Sequence, residues 1–126
     1  MTKEQEDLLW KDLCTRLPYK VKFKVKYQDD TWRLFVIYKY GKIYVIGAGG
    51  YPIEVNFTDC QPYLFPLSSM SEKQSKEYHE LIGGMFGTSA LINFEILEDF
   101  FHKNHLDYRG LIPMRLAIDA TGLNIY

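Results

Sequence analysis

Residues Tyr19-Lys20-Val21-Lys22-Phe23-Lys24-Val25-Lys26-Tyr27 alternate apolar and basic side chains without a break. A strand turns successive side chains to opposite faces. The run therefore reads as a half-buried antiparallel strand with a core row (Tyr19, Val21, Phe23, Val25, Tyr27) and an ammonium row (Lys20, Lys22, Lys24, Lys26). One face must be covered by an apolar layer, and the other must meet solvent or something negative. The pattern constrains the fold strongly and names no activity.

Gln28-Asp29-Asp30-Thr31 reads as a loop of turn formers, after which Trp32 to Tyr40 alternates again. Setting Tyr27 opposite Trp32 aligns Val25/Leu34, Phe23/Val36, Val21/Tyr38 and Tyr19/Tyr40 on one face. The same register puts Lys26 across from Arg33 and Lys20 across from Lys39, each like-charge pair destabilising by roughly 0.2–1 kcal/mol. Phe35 and Ile37 share that face. A face that mixes apolar and basic groups predicts partial cover, by an acidic helix or by a partner. Between Arg16 and Lys42 there are eight basic residues against two acids. Acids collect instead at Glu4, Glu6, Asp7 and Asp12, and at Glu95, Glu98 and Asp99.

Before the strand, Thr2 to Arg16 reads as a helix. Thr2 and Gln5 form a capping box, Leu9, Leu13 and Leu17 with Trp10 and Cys14 form its apolar stripe, and Pro18 stops it. Beyond Tyr40-Gly41-Lys42, Ile43–Ile46 and Tyr51–Phe57 read as strands flanking the hairpin turn Gly47–Gly50. Pro52, lacking a donor, places the last strand at a sheet edge or at its own start. Thr58 to Ser69 reads as a proline-punctuated connector. A helix capped by Ser71 with Gln74, or by Ser69 with Glu72, ends at Gly83-Gly84. A further helix runs from about Ala90 to Asn104, with Ile92, Ile96 and Phe100 on its apolar face, and residues 113–120 read as a short helix. The expected fold is α+β: a four-strand antiparallel meander with about three to four helices packed mainly on one face.

With 126 residues, 47 % of them hydrophobic, the chain is long enough for one domain, 1–126, with its own core. Aromatics at 16 % suit a thin two-layer core or a contact surface. Cys14 and Cys60 lack CxxC spacing, Cys14 reads as core, and no apolar run is long enough to span a bilayer. The expectation is a reduced, cytoplasmic protein with no membrane association and no cofactor.

Two groups of residues carry possible chemistry. For an anion with an aromatic part, the candidates are Lys22, Lys24, Arg33 and Arg109 with Tyr63, Phe65 and Tyr108. Alternate ammonium groups on a strand lie roughly 6.5–7 Å apart, comparable to phosphate spacing. The competing reading is that the lysines guard an exposed strand or pair with the acidic first helix. The second group is His102, His105 and Asp107. Histidines three apart share a helix face, so a metal shell or an acid–base site is conceivable there, yet no further ligand pair accompanies them. A helix end favouring His102 and Lys103, followed by a turn at Arg109-Gly110, explains the same run without chemistry. Arg109 is also placed to hold Asp107 or a helix carboxylate. Gly47-Ala48-Gly49-Gly50 is followed by a strand and so is no phosphate loop.

Leu13–Tyr19, Gln61–Ser71 and Asn104–Ile112 resemble segments of a family of small proteins from gut-bacterial phages and integrated mobile elements. Members more often carry arginine where Phe65 stands and glycine where Lys20 stands. The resemblance implies a bacterial host cytoplasm and nothing catalytic. Three functions stay open. The first is a non-catalytic, counter-defence binding module for a host protein or a small anionic nucleotide signal. The others are a nucleic-acid-binding accessory of phage replication or recombination, and a small His/Asp-dependent enzyme. The sequence leaves room for a homo-oligomer.

Overall fold

The computed structural model describes residues 1–26, 33–39, 42–46, 52–85 and 90–126. Its elements in chain order are helix α1 (Lys3–Arg16), strands β1 (Lys22–Val25), β2 (Arg33–Lys39), β3 (Lys42–Ile46), β4 (Pro52–Val55) and β5 (Cys60–Leu64), helices α2 (Glu72–Met85) and α3 (Ala90–Lys103), and strand β6 (Ile118–Asp119). Short 3-10 turns lie at Leu17–Tyr19, Phe57–Asp59 and Leu67–Ser69. The fold is α+β, as expected. The predicted loop 28–31 and turn 47–50 lie outside the described residues.

The sheet is mixed, with neighbours in the order β4-β3-β2-β1-β5-β6, so it is not the expected four-strand antiparallel meander. β5 joins β1 antiparallel, with Phe23 across from Pro62 and Val25 across from Cys60. β6 joins β5 in parallel, pairing Tyr63 with Ile118 and Leu64 with Asp119. Both lie in segments read as connector and helix. Pro62 disguised β5, because a residue with no donor argues against an interior strand. The strand tolerates it there because the β6 pairing begins only at Tyr63. Residues 113–120 form turns and then β6, not a helix. Pro52 does open β4, and β4 does end the sheet.

β1 itself is shorter than its sequence pattern. Tyr19 falls in the 3-10 turn, and Lys20 has φ 56° and ψ 46°, a left-handed conformation that ends the turn. The ammonium row is thereby cut before Lys22. Across the hairpin, Lys22 pairs with Leu34 and Phe23 with Arg33, so the predicted Phe23/Val36 register does not form. β2 carries apolar residues at consecutive positions from Leu34 to Tyr38, and alternation alone cannot choose its register.

Helix α1 starts as predicted. The Thr2 hydroxyl accepts from the Gln5 N–H at 3.1 Å, and the Gln5 side chain accepts from the Thr2 N–H at 3.0 Å. Ser71 and Gln74 form the same box before α2, at 3.1 and 2.9 Å, but α2 continues past Gly83-Gly84 to Met85. α1 lays Leu9 and Leu13 on Phe23, Val25 and Cys60. A second cluster joins Val21 and Leu64 to Leu111, Leu116 and Ala117. The third brings Phe100, Phe101 and Leu106 together with Tyr78, Leu81, Phe65 and Met70, so α2 and α3 close on the chain beyond the end of β5. Cys14 is exposed rather than core, because Leu9, Asp12, Leu13 and Arg16 define the buried face.

A left-handed lysine carries steric strain that glycine avoids, since only its missing Cβ relieves the clash. Lys20→Gly should raise unfolding stability by about 1 kcal/mol, read as a higher urea midpoint. An unchanged or lower midpoint would show that the turn is not strained there.

Candidate functional site

The inner face of α1 carries an ion pair where hydrophobic side chains would be usual. Asp12 and Arg16, one turn apart, are both fully buried, and the Arg16 Nε donates to Asp12 Oδ2 at 2.8 Å. The Arg16 Nη2 donates to the Leu106 carbonyl at 2.6 Å. Arg109 approaches the other oxygen of Asp12, its Nε lying 3.3 Å from Oδ1. Burial pushes the Asp12 carboxyl above the usual carboxylate range, while Arg16 and Arg109 pull it back down.

Around this core the run 102–112 is tied to itself. Arg109 Nη2 donates to the Tyr108 hydroxyl at 2.6 Å, and that hydroxyl lies 2.9 Å from His102 Nε2. Burial, with Arg16 and Arg109 adding to it, lowers the His102 pKa to about 4. The ring is thus neutral near pH 7, and the Tyr108 hydroxyl links it to Arg109. Both Asp107 oxygens accept backbone N–H groups, from Leu111 at 2.8 Å and Ile112 at 2.9 Å. The predicted trio of His102, His105 and Asp107 therefore does not converge on a metal. Asp107 shapes a turn, His102 bonds Tyr108, and His105 stacks on another ring. Among the described residues no group of three or more His, Cys, Asp or Glu could hold a metal ion. The Cys60 thiol, buried beside Asp59, is pushed up to about 12 and stays protonated.

A Schellman motif at the end of α3 positions His105. The Leu106 N–H bonds the Phe101 carbonyl at 2.9 Å and the His105 N–H bonds the His102 carbonyl at 3.1 Å, with His105 left-handed at φ 54°. The Phe65 N–H then bonds the His105 carbonyl at 2.8 Å, and the Asp107 N–H bonds the Phe65 carbonyl at 2.8 Å. These bonds fix the His105 ring over the end of the β1–β5 ladder.

Tyr126 occupies that place. Its ring stacks on His105 with centroids 3.8 Å apart and planes 15° from parallel. Its hydroxyl donates to the Tyr63 carbonyl at 2.8 Å and accepts from the Lys22 N–H at 2.8 Å. The Phe65 ring lies 5.8 Å away, the Lys22 ammonium sits 5.4 Å from the Tyr126 centroid, and that ammonium also donates to the Ile125 carbonyl. Burial raises the Tyr126 hydroxyl above its ordinary value and the His105 ring is lowered to about 4 by burial, Arg16 and Lys22. Segment 122–126 thus covers part of the lysine face at Lys22.

The seven ligand residues expected from the sequence separate. Lys22, Tyr63 and Phe65 meet around Tyr126; Tyr108 and Arg109 belong to the Asp12–Arg16 cluster. Lys24 is half-buried on β1, paired in register with Gln61, and Arg33 is paired in register with Phe23 on β2. The sequence reading missed Asp12, Arg16 and Tyr126. The acid–base spacing of Asp12 and Arg16 was a signal, whereas nothing local marks Tyr126. Comparisons with protein-family models, curated proteins and solved structures find no match. No helix among the described residues is long and apolar enough to cross a membrane.

Removing one member of a buried ion pair strands the others. Asp12→Ala should lower stability by about 3–5 kcal/mol, and the double variant Asp12→Leu/Arg16→Met should lose less than Asp12→Ala alone. A double variant at least as unstable as the single one would show that the pair is not the source of the loss.

His102 and His105 stay neutral in the fold but protonate in the unfolded chain near 6.5. Their contribution is therefore complete above pH 6.5 and is lost as pH falls toward about 4. At most about 3 kcal/mol is at stake for His102. Urea midpoints at pH 7.5 and pH 5 should fall in the wild type and fall less in His102→Gln/His105→Gln. That comparison separates the histidines from Asp12, whose raised carboxyl acts in the opposite sense. Parallel profiles would exclude them.

Proposed function

We propose that this protein is a non-catalytic binding module whose ligand site is the place filled by the Tyr126 ring. The observation that carries the reading is the meeting of Lys22, Tyr63, Phe65 and His105 around one aromatic ring. They supply a flat stacking surface, an ammonium, and a backbone donor and acceptor at the ring edge. These are the contacts that a small anionic ligand with a planar ring requires. The groups that an enzyme would use support the same reading from the other side. Asp12, Arg16, His102, Asp107 and Arg109 are buried or nearly so, and they hold one another and the 106–112 backbone.

A small nucleotide signal fits this chemistry, with its base on His105 and its phosphate toward Lys22. The resemblance to phage and mobile-element proteins extends the reading to counter-defence in a bacterial cytoplasm, by sequestering such a signal or by engaging a host protein. Thermal-shift titrations with ribonucleoside mono-, di- and triphosphates and cyclic dinucleotides test it. At least one should raise the melting temperature of the wild type, and Lys22→Glu should abolish the rise. No shift at millimolar concentration from any of them would overturn the nucleotide reading. A steeply salt-dependent affinity for DNA or RNA would replace it with nucleic-acid binding.

A further inference from the structure

We infer that the Tyr126 site is closed in cis, and that segment 122–126 is a latch displaced by an incoming planar ring with a polar edge. The inference rests on the binding-module reading and adds how its site opens and what chemistry enters.

The pairing of Phe23 with Pro62 makes Lys22 and Tyr63 the next partners along the β1–β5 ladder. In a continuing ladder the Lys22 N–H and the Tyr63 carbonyl would bond each other. Here the Tyr126 hydroxyl stands between them, accepting from one and donating to the other. Those two backbone groups recognise one acceptor and one donor and nothing else about the occupant. Stacking on His105 and the ammonium of Lys22 recognise a flat ring. A phenol satisfies both demands, as does the edge of a nucleobase.

The occupant is held by polar and ring contacts rather than by the apolar core. Residues 121–126 belong to no strand, and the segment is turned by positive φ at Gly122 (79°) and Asn124 (53°). Leu123 is 48 % and Tyr126 41 % exposed, and no residue of 121–126 belongs to the three apolar clusters. The latch can therefore leave while the core stays closed. Its departure removes the Ile125 carbonyl and the Tyr126 ring from the Lys22 ammonium, which lines the opened place with positive charge. Arg16 adds to this: it is fully buried, bonded to the carbonyl of Leu106 beside His105, and its Nη1 makes no hydrogen bond within the protein. His105 Nδ1, also buried, is unbonded as well. The ligand class is thus a planar aromatic ring with a donor–acceptor edge and an attached anion. Its apparent affinity is reduced by the fraction of molecules that are latched.

The test uses the full chain carrying Tyr126→Ala and p-cresol, the detached tyrosine side chain. Millimolar p-cresol should raise the variant's melting temperature by about 3 °C or more, toluene should raise it less, and the wild type should not respond. No rise in a variant with the wild-type circular dichroism spectrum overturns the inference. Should the variant not fold, amide exchange on the wild type decides. Segment 122–126 and the Lys22 N–H should exchange well before Val25 and Leu64, and exchange only together with them overturns the latch. Rescue by p-cresol without nucleotide binding keeps the latch and removes the nucleotide reading. Equal nucleotide affinity in wild type and variant removes the latch and keeps the binding module.

Discussion

Asp12 is a carboxylate with no access to water, and the arrangement of the second half of the chain follows from how its charge is met. Arg16 lies beside it on the same helix, and Arg109 arrives from near the other end of the chain. Arg16 then reaches the carbonyl of Leu106, fixing the end of α3 against α1. Apolar contact alone would allow that end many positions, because burial has no preferred direction. A buried charge accepts only arrangements that satisfy it, which makes this cluster the locating element of the fold. From Leu106 the constraint passes to Phe65 through paired backbone bonds, and from there to His105 and the ring stacked on it.

At Lys22 the lysine face is met in part by groups that carry no side-chain charge. Lys22 meets a carbonyl oxygen and an aromatic face, both supplied by the segment 122–126. A carbonyl and a ring attract a cation more weakly than a carboxylate does, and they add no charge that would repel an anion.

Catalysis and binding ask different things of the same side chains. A general acid or base needs access to substrate and a pKa near the working pH. His102 and His105 are depressed to about 4 and engaged with Tyr108 and Tyr126, and Asp107 accepts two amides. Binding by contrast needs complementary surfaces around a replaceable occupant, and the proposed role of the Tyr126 site rests on that difference.

The legible parts of this protein were local. Thr2 with Gln5 and Ser71 with Gln74 announced two helix starts, because a capping box is complete within four residues. Pro52 announced an edge strand, because a missing donor has the same consequence in any fold. Alternation exposed β1 and its apolar face, and the density of polar residues from His102 to Arg109 marked a region that the fold does use, though for structure. What escaped depended on residues far apart in the chain. β5 and β6 were hidden by Pro62 and by short length; the β1–β2 register was open because β2 is apolar on both rows; Asp12 and Arg16 looked like an ordinary surface pair until Leu106 and Arg109 closed over them. Tyr126 carried no pattern at all, since the backbone groups that hold it belong to Lys22 and Tyr63. Periodicity and capping are properties of neighbours in sequence, and the amino acids alone determined those. Only the folded chain decided which distant groups would share one carboxylate and one aromatic ring.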